Sequence, residues 1–427
     1  MQDNSNHSLS NVWLALGGIL LVAAILIGGM QLYERAYIPS DDPGEMPFLE
    51  VDHELVTVNT TRIGSDDPIE TAVAISNIIY PATESENTPG AVVLVNMDNL
   101  PEVMVAASRV QHFPVNAPLL YVTFDEIPEL TRQELLRLKP EGVAFDGNVQ
   151  VYLVGTISDA VVAQVEAMGY HTRVLQADNP IELAVVADDW TSTQHGDHKN
   201  VVAIANLDNP YPAIPSIFWN AHMGQGFAFV TNEGVPEATM EMLKRRANGP
   251  WIYLFGDDTV ISDETARQLA QFGLVERIPR AGLPEASAFF AGFKDLGEDW
   301  GAWYWADARD FGWGISEAGH NAIFINVEGP GGWQNAVVAT TLSHMGKHAP
   351  VLAVNQNEVP QAVVNYLEIL KPNPTAPQHQ QLNHGWIIGG EETISWDTQV
   401  ALDQLLEAYP YSDNSGEEAG QSAETAN

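Results

Sequence analysis

Three arginines, Arg62, Arg173 and Arg277, stand in related passages of a 427-residue chain that carries 18 lysines and arginines against 56 aspartates and glutamates. The passages read TRIGSDDPIE from Thr61, TRVLQADNPIE from Thr172 and ERIPRAGLPE from Glu276. A guanidinium repeated in phase in so acidic a chain has two uses. It can grip a phosphate or carboxylate of a ligand as a planar fork, or it can pair with an acidic neighbour in an adjoining passage. A second recurrent set is Asn96, Asp98 and Asn99, then Asn206, Asp208 and Asn209, then Asn326 and Glu328, each set closing an apolar run. Such residues accept ligand hydrogen bonds, and they also terminate strands by bonding to their own backbone.

A third group is aromatic. Asp299 to Trp313 reads DWGAWYWADARDFGW, with Trp303 and Trp305 at its centre and Trp333 shortly after. Rings interleaved with carboxylates suit a sugar, stacking on its apolar face while the acids accept hydroxyl hydrogen bonds. Packing beneath an inserted loop explains the same letters. His195 with His198, and His344 with His348, have metal-compatible spacing but lack a third ligand nearby, so no metal is expected. The chain contains no cysteine, which excludes disulfides, thiolate metal sites and cysteine nucleophiles. It contains no G-x-S-x-G, P-loop or H-E-x-x-H motif, and no nucleophile and base are visible as a pair. An enzyme working at the Asn/Asp strand edge is the weakest reading. The net charge of −38 argues against nucleic acid and against a basic membrane-surface patch. It suits a solvated acidic surface or high salt, and divalent cations could bridge it to an anionic polymer; no other cofactor is expected.

The elements that must position these residues recur in the same order. Pro68, Pro180 and Pro284, 112 and 104 residues apart, each precede an Ala-rich helical stretch. An apolar strand leads to each Asn/Asp set. A second follows at Pro118–Thr123, Gly226–Thr231 and Pro350–Asn355, with helices starting near Pro128, Pro236 and Pro360, and a third strand ends at Gly155, Gly256 and Gly389. In the first copy, helices are predicted over Pro68–Tyr80, Glu102–Val110, Leu130–Leu138 and Ser158–Met168, with strands at Val92–Val95, Leu119–Val122 and Val151–Val154. Ser158, Ser262 and Ser395 are the expected N-caps of the last helix in each copy. Continuous apolar strands alternating with helices mean α/β domains with parallel sheets. Ligands on such sheets gather beyond the carboxyl ends of the strands, where the Asn/Asp sets lie.

The order of these landmarks resembles the cell wall-binding repeat 2 family. The first copy carries it best, in Arg62-Ile-Gly64, Glu70-Thr-Ala-Val-Ala-Ile-Ser76, Glu102 to Ala107, Pro118-Leu-Leu120 and Val154-Gly155. The resemblance covers about residues 56–408. It implies three tandem flavodoxin-like or Toprim-like domains around a pseudo-threefold axis, binding an anionic cell-wall or envelope polysaccharide without catalysis. The second copy departs most, with Pro212 and Ala213 where the first has Glu102 and Val103. The domains expected are therefore 56–171, 172–275 and 276–408.

Ahead of them, Val12 to Met30 holds 19 residues without a charge, with Trp13 and Tyr33 placed as interfacial aromatics near its two ends. At about 1.5 Å per residue it nearly spans a bilayer core of roughly 30 Å. We expect a polar tail over 1–11, a transmembrane anchor over 12–33, a spacer over 34–55 and a disordered acidic tail over 409–427. The sequence thus points to a single-pass membrane protein with an extracytoplasmic body that tethers membrane to wall, three weak sites acting together through effective concentration. Arg35 alone would place the body in the cytoplasm, a thin signal beside Glu34. The alternative is a scaffold or assembly module of a surface layer or membrane complex that has lost polymer binding and touches envelope proteins instead.

Overall fold

Three parallel sheets of four strands organise the chain, each built in the same order. In the computed structural model the described residues are 57–111, 115–196, 198–246, 249–296, 310–316, 319–344, 347–370 and 382–407, all within one compact unit, Val51–Asn427. The first sheet runs β3 (Leu119–Val122), β2 (Val92–Asn96), β4 (Val151–Val154), β5 (Thr172–Leu175). The second runs β7 (Gly226–Val230), β6 (Val201–Asn206), β8 (Trp251–Phe255), β9 (Leu274–Ile278). The third runs β11 (Val351–Ala353), β10 (Asn321–Ile325), β12 (His384–Ile388), β1 (Thr60–Ile63). Every pairing is parallel.

The strand that opens each sequence copy therefore sits in the sheet of the copy before it. β5 completes the first sheet and β9 the second, while β1 closes the third although more than 300 residues separate it from β12. The helix after each of these strands crosses to the next sheet. Helix α1 (Pro68–Ile79) covers β3, α5 (Pro180–His195) covers β7 and α9 (Leu283–Gly292) covers β11. Sheet and sequence copy are thus offset by one strand, and the boundaries at 171/172 and 275/276 fall inside the first and second sheets. Two junctions are covalent, and the last, β1 on β12, is noncovalent.

The thrice-repeated passage is a strand, a turn and a helix start. Pro68 and Pro180 are the first residues of their helices, where a missing N–H costs nothing. Asp67 caps α1 by accepting from Ile69 N at 2.8 Å, and Asn179 caps α5 by accepting from Glu182 N at 3.0 Å. The central strands are apolar because both faces are covered: every residue of β2 and β6 is buried. Each fully buried Val, Ile or Leu contributes roughly 1.5–3 kcal/mol, so the strands carry the cores. In the second sheet Val202, Ile204, Ile252 and Leu254 pack with Met242, Leu243 and Leu269 from the covering helices.

The expected elements of the first copy form. They include α2 (Leu100–Val105), continued by a π-helical turn at Ala106–Val110, α3 (Glu129–Leu138) and α4 (Asp159–Ala167). In the second copy lie α6 (Ile214–Met223), α7 (Glu237–Lys244) and α8 (Asp263–Leu269). In the third lie α10 (Gly332–Val338), α11 (Thr340–His344), α12 (Gln361–Leu367) and α13 (Trp396–Leu406). Helices from the three copies pack pairwise: α6 on the π-helical turn, α6 on α11, and α10 on α2 and α1. Ser262 and Ser395 cap their helices through Thr265 N and Thr398 N. Ser158 stands at the same place, but its hydroxyl is buried and makes no hydrogen bond. Among the described residues no helix is long and apolar enough to cross a membrane. The 12–33 segment, the 34–55 spacer and the 409–427 tail lie outside the described residues.

Candidate functional site

At the carboxyl ends of the strands, Gly155, Gly256 and Gly389 turn the chain with φ of +86°, +133° and +97°, a region that disfavours any Cβ. The turn after this glycine is where the recurrent polar residues converge. Asn326 donates from Nδ2 to Thr393 O at 2.8 Å, Asn206 to Val260 O at 2.5 Å and Asn96 to Thr156 O at 3.2 Å. In each case the amide oxygen accepts the backbone N–H two residues on, from Glu328, Asp208 and Asp98. All three asparagines are buried. Their amides fasten one strand end to the turn beyond the neighbouring strand, as the local-bonding alternative expected. Asn99 caps α2 through Glu102 N at 3.3 Å, and Asn209 N donates to Asn206 O at 3.1 Å.

Two of the three arginines clamp the same turn. Arg62 is 4% exposed and donates to Gly389 O and Gly390 O at 2.8 Å, Ile394 O at 2.7 Å and Gln399 Oε1 at 3.0 Å. Burial pushes its pKa down, and Glu391 and Asp66 oppose that shift. Arg277 donates to Gly256 O at 3.0 Å, Asp257 O at 2.9 Å and Ile261 O at 2.8 Å, and pairs with Asp263 at 3.2 Å. The Asp257 carboxyl is held below the usual range, first by the Thr259 hydroxyl. Asp66 reaches the third turn as well, accepting from Thr393 N at 2.9 Å and Thr393 Oγ1 at 2.6 Å, which adds a fastener where β1 meets β12.

Arg173 does something else. In the sheet register Arg62 lies opposite Ile387 and Arg277 opposite Leu254, each two residues before the turn glycine; Arg173 lies opposite Tyr152, three before Gly155. Side chains alternate along a strand, so one residue of offset sends Arg173 to the other face. There it pairs with Asp146 through Nε at 2.5 Å and through a second bond from its terminal nitrogen. Asp146 is buried and also accepts from Tyr152 OH at 3.0 Å and Trp190 Nε1 at 3.1 Å. The three arginines are therefore not in phase. The cause is legible in the chain, because Ser158 follows Gly155 by three residues whereas Ser262 and Ser395 follow their glycines by six. The shortened turn offers no carbonyl cage, and Glu102 binds it instead, accepting from Thr156 N and Oγ1 at 2.7 Å.

What remains outward at this edge is acidic: Asp98, Asp208 and Glu328 are exposed at equivalent places in the three copies. Trp303 and Trp305 lie outside the described residues. The described end of that insertion is packed inward, Phe311 stacking on Tyr253 at 3.9 Å and Trp313 on His222 at 5.6 Å. Asp188, Asp189 and His198 bring three ligand atoms within 4.8 Å of one another. Arg246 donates to both Asp188 oxygens at 2.9 and 3.0 Å and Arg245 pairs with Asp189, so guanidiniums already neutralise this cluster. His195 and His344 side chains lie outside the described set, but His348 faces His320, a neighbour 28 residues away that sequence spacing did not suggest.

No protein family model matches the chain, and no curated protein does. Solved structures of similar fold include two from Clostridium difficile. Cwp8 from Clostridium difficile superposes with a TM-score of 0.63 at 16% identity, over 83% of this chain and 53% of that one. Cwp6 from Clostridium difficile gives 0.59 at 18% identity, over 82% of this chain and 48% of that one. The chain thus spans about half the length of these neighbours, and the likeness is one of fold.

Proposed function

We propose that this protein is a membrane-anchored, non-catalytic component of the cell envelope whose three-sheet body holds an anionic wall polymer outside the membrane. The observation that carries the reading is the fold, three parallel sheets whose arrangement resembles that of Cwp8 and Cwp6. The apolar Val12–Met30 run and the family resemblance of the repeats support it. Because Arg62, Arg277, Asn96, Asn206 and Asn326 spend their side chains inside the body, polymer contact falls to the exposed acids. Asp98, Asp208 and Glu328 present one carboxylate per copy, and a divalent cation would bridge each to an anionic chain. The test is retention of residues 57–407 on purified native envelope with and without calcium, and with Asp98→Asn, Asp208→Asn and Glu328→Gln combined. Retention that needs calcium and is lost in the triple variant supports the reading; no retention in either buffer sinks it.

A second reading is favoured by that same internal use of the repeated residues: a scaffold that contacts envelope proteins and no polymer. Crosslinking in whole cells separates the two, since protein partners rather than glycan would be recovered.

A further inference from the structure

Sequence order leads from the apolar Val12–Met30 run into the body at Thr57, just ahead of β1, so a load carried by that run reaches the body at the amino end of β1. β5 and β9 hold the same edge position in their sheets, but each follows a strand of its own sheet in the chain and leads by a helix to the next. β1 lies far from β12 in sequence and is kept in the third sheet by noncovalent contacts.

Those contacts run the whole length of the strand. At the amino end the Asp403 carboxylate, near the end of α13, accepts from Thr57 Oγ1 at 2.5 Å and Asn59 N at 2.6 Å, and the Asp403 carbonyl accepts from Asn59 Nδ2 at 3.1 Å. Along the middle, Gly385 N donates to Asn59 O at 2.8 Å, Gln399 Nε2 to Thr60 Oγ1 at 3.0 Å and Gly389 N to Ile63 O at 3.0 Å. Arg62 and Asp66 fasten the carboxyl end at the third turn.

The direction of loading decides what this set of bonds resists. β1 and β12 are parallel, so a pull on Thr57 against the carboxyl edge of the sheet slides one strand along the other and stresses all the bonds together. A pull on Thr57 against the amino edge peels β1 away and breaks them one after another. The exposed acids of the proposed polymer contact, Glu328 among them, lie at the carboxyl edge. α13 runs back along β12, and Leu406 O accepts from Asn383 Nδ2, just ahead of β12, at 3.3 Å, so this helix ends at the amino edge.

We propose that β1 is a load-bearing clamp, which holds against tension between the membrane side and the polymer side of the body and opens under tension between Thr57 and the end of α13. Its use in a tether rests on the function proposed above, whereas the clamp is a property of the fold.

The chain contains no cysteine, so introduced pairs place the handles of an optical trap at chosen points. Full-length protein carrying Val58→Cys with Glu328→Cys loads β1 in shear, and Val58→Cys with Glu407→Cys peels it; all three positions are exposed. In both geometries the first event should release only the segment from Val58 to Asp67, at most about 3.5 nm of chain. Forced opening is governed by the rate of unfolding, and the force of that event should be at least about twofold higher in shear than in peeling. Arg62→Met should lower the shear force. Equal forces in the two geometries, or a first event in shear that releases a much longer stretch, overturns the clamp. Should the Glu328 handle disturb folding, Asn357→Cys, exposed at the same edge of the third sheet, replaces it. No polymer is present in the measurement, so a failure of envelope retention overturns the tether and leaves the clamp to be decided by force alone.

Discussion

Replacing Arg62 by Met keeps the aliphatic stem and removes the guanidinium. Three carbonyls, Gly389, Gly390 and Ile394, and the Gln399 amide oxygen then lose donors now 2.7 to 3.0 Å away. A buried acceptor left unmade costs about 1–3 kcal/mol. Taking the low end for carbonyls beside a surface turn, the four together cost about 3–5 kcal/mol, the range of the more damaging single substitutions. Arg277→Met removes three carbonyl bonds, but 20% of that side chain is exposed, so water replaces part of the loss and about 2–3 kcal/mol is expected. Arg173→Met leaves Asp146 buried without its countercharge, a cost that Asp146→Asn in the same chain should partly restore. The assay is native-state hydrogen exchange, because a three-sheet chain need not unfold in one step. Arg62→Met should speed exchange at 389–394 and in β1 by about 10²–10⁴-fold, and Arg277→Met should do the same more weakly at 256–261. Arg173→Met should leave 155–158 untouched. Equal loss of protection at 155–158 in that variant would refute the register argument.

Removing residues 1–64 deletes β1 and uncovers the edge of β12; self-association is expected by light scattering, and a peptide of residues 57–66 added in trans should restore the monomer. Asp66→Ala releases the Thr393 N–H and hydroxyl and should cost about 1–2 kcal/mol, read as faster exchange in the third turn only. Burial lowers the pKa of His320 and His384 below 6.5. Their unfolded forms take up protons first as pH falls, so the stabilisation is full above about pH 7 and is lost through and below about pH 6.5. The melting temperature of chelator-treated protein should therefore drop between about pH 7.5 and about pH 5.5, and less so in His320→Gln and His384→Gln; an equal drop in the variants would exclude the histidines.

Much of the architecture was legible in the chain because its signals are local. Continuous apolar runs such as Val92–Val95, too short for a helix, read as strands covered on both faces, and an Asp-Pro or Asn-Pro pair ahead of an apolar stretch favours a helix start. The offset of sheet from sequence copy was not legible, since strand pairing is a long-range choice and nothing within Thr60–Ile63 names β12 as its neighbour. The Arg173 departure was readable but needed a count rather than a resemblance. Three letters T-R-V look like T-R-I, yet the turn that would receive the guanidinium is three residues shorter. The His320–His348 pair had no local signal at all, because its members are joined by the parallel register of β10 and β11.

The repeated residues now divide by cause. An arginine or asparagine that recurs in every copy of a duplicated domain can recur because each copy binds the same ligand, or because each copy must solve the same folding problem. The third-strand turn is such a problem: positive-φ glycine turns leave carbonyls that no helix or sheet ladder satisfies, and here a guanidinium and an amide satisfy them. Where the turn shortens, the arginine leaves and a carboxylate takes over, as Glu102 does at Thr156. A ligand would not impose that substitution, since it exchanges a cation for an anion at one place; the geometry of the turn does. Recurrence in this chain therefore marks structure at Arg62, Arg277 and the three asparagines. The polymer binding proposed above is assigned to side chains that point outward instead, the exposed acids of the strand-end edge.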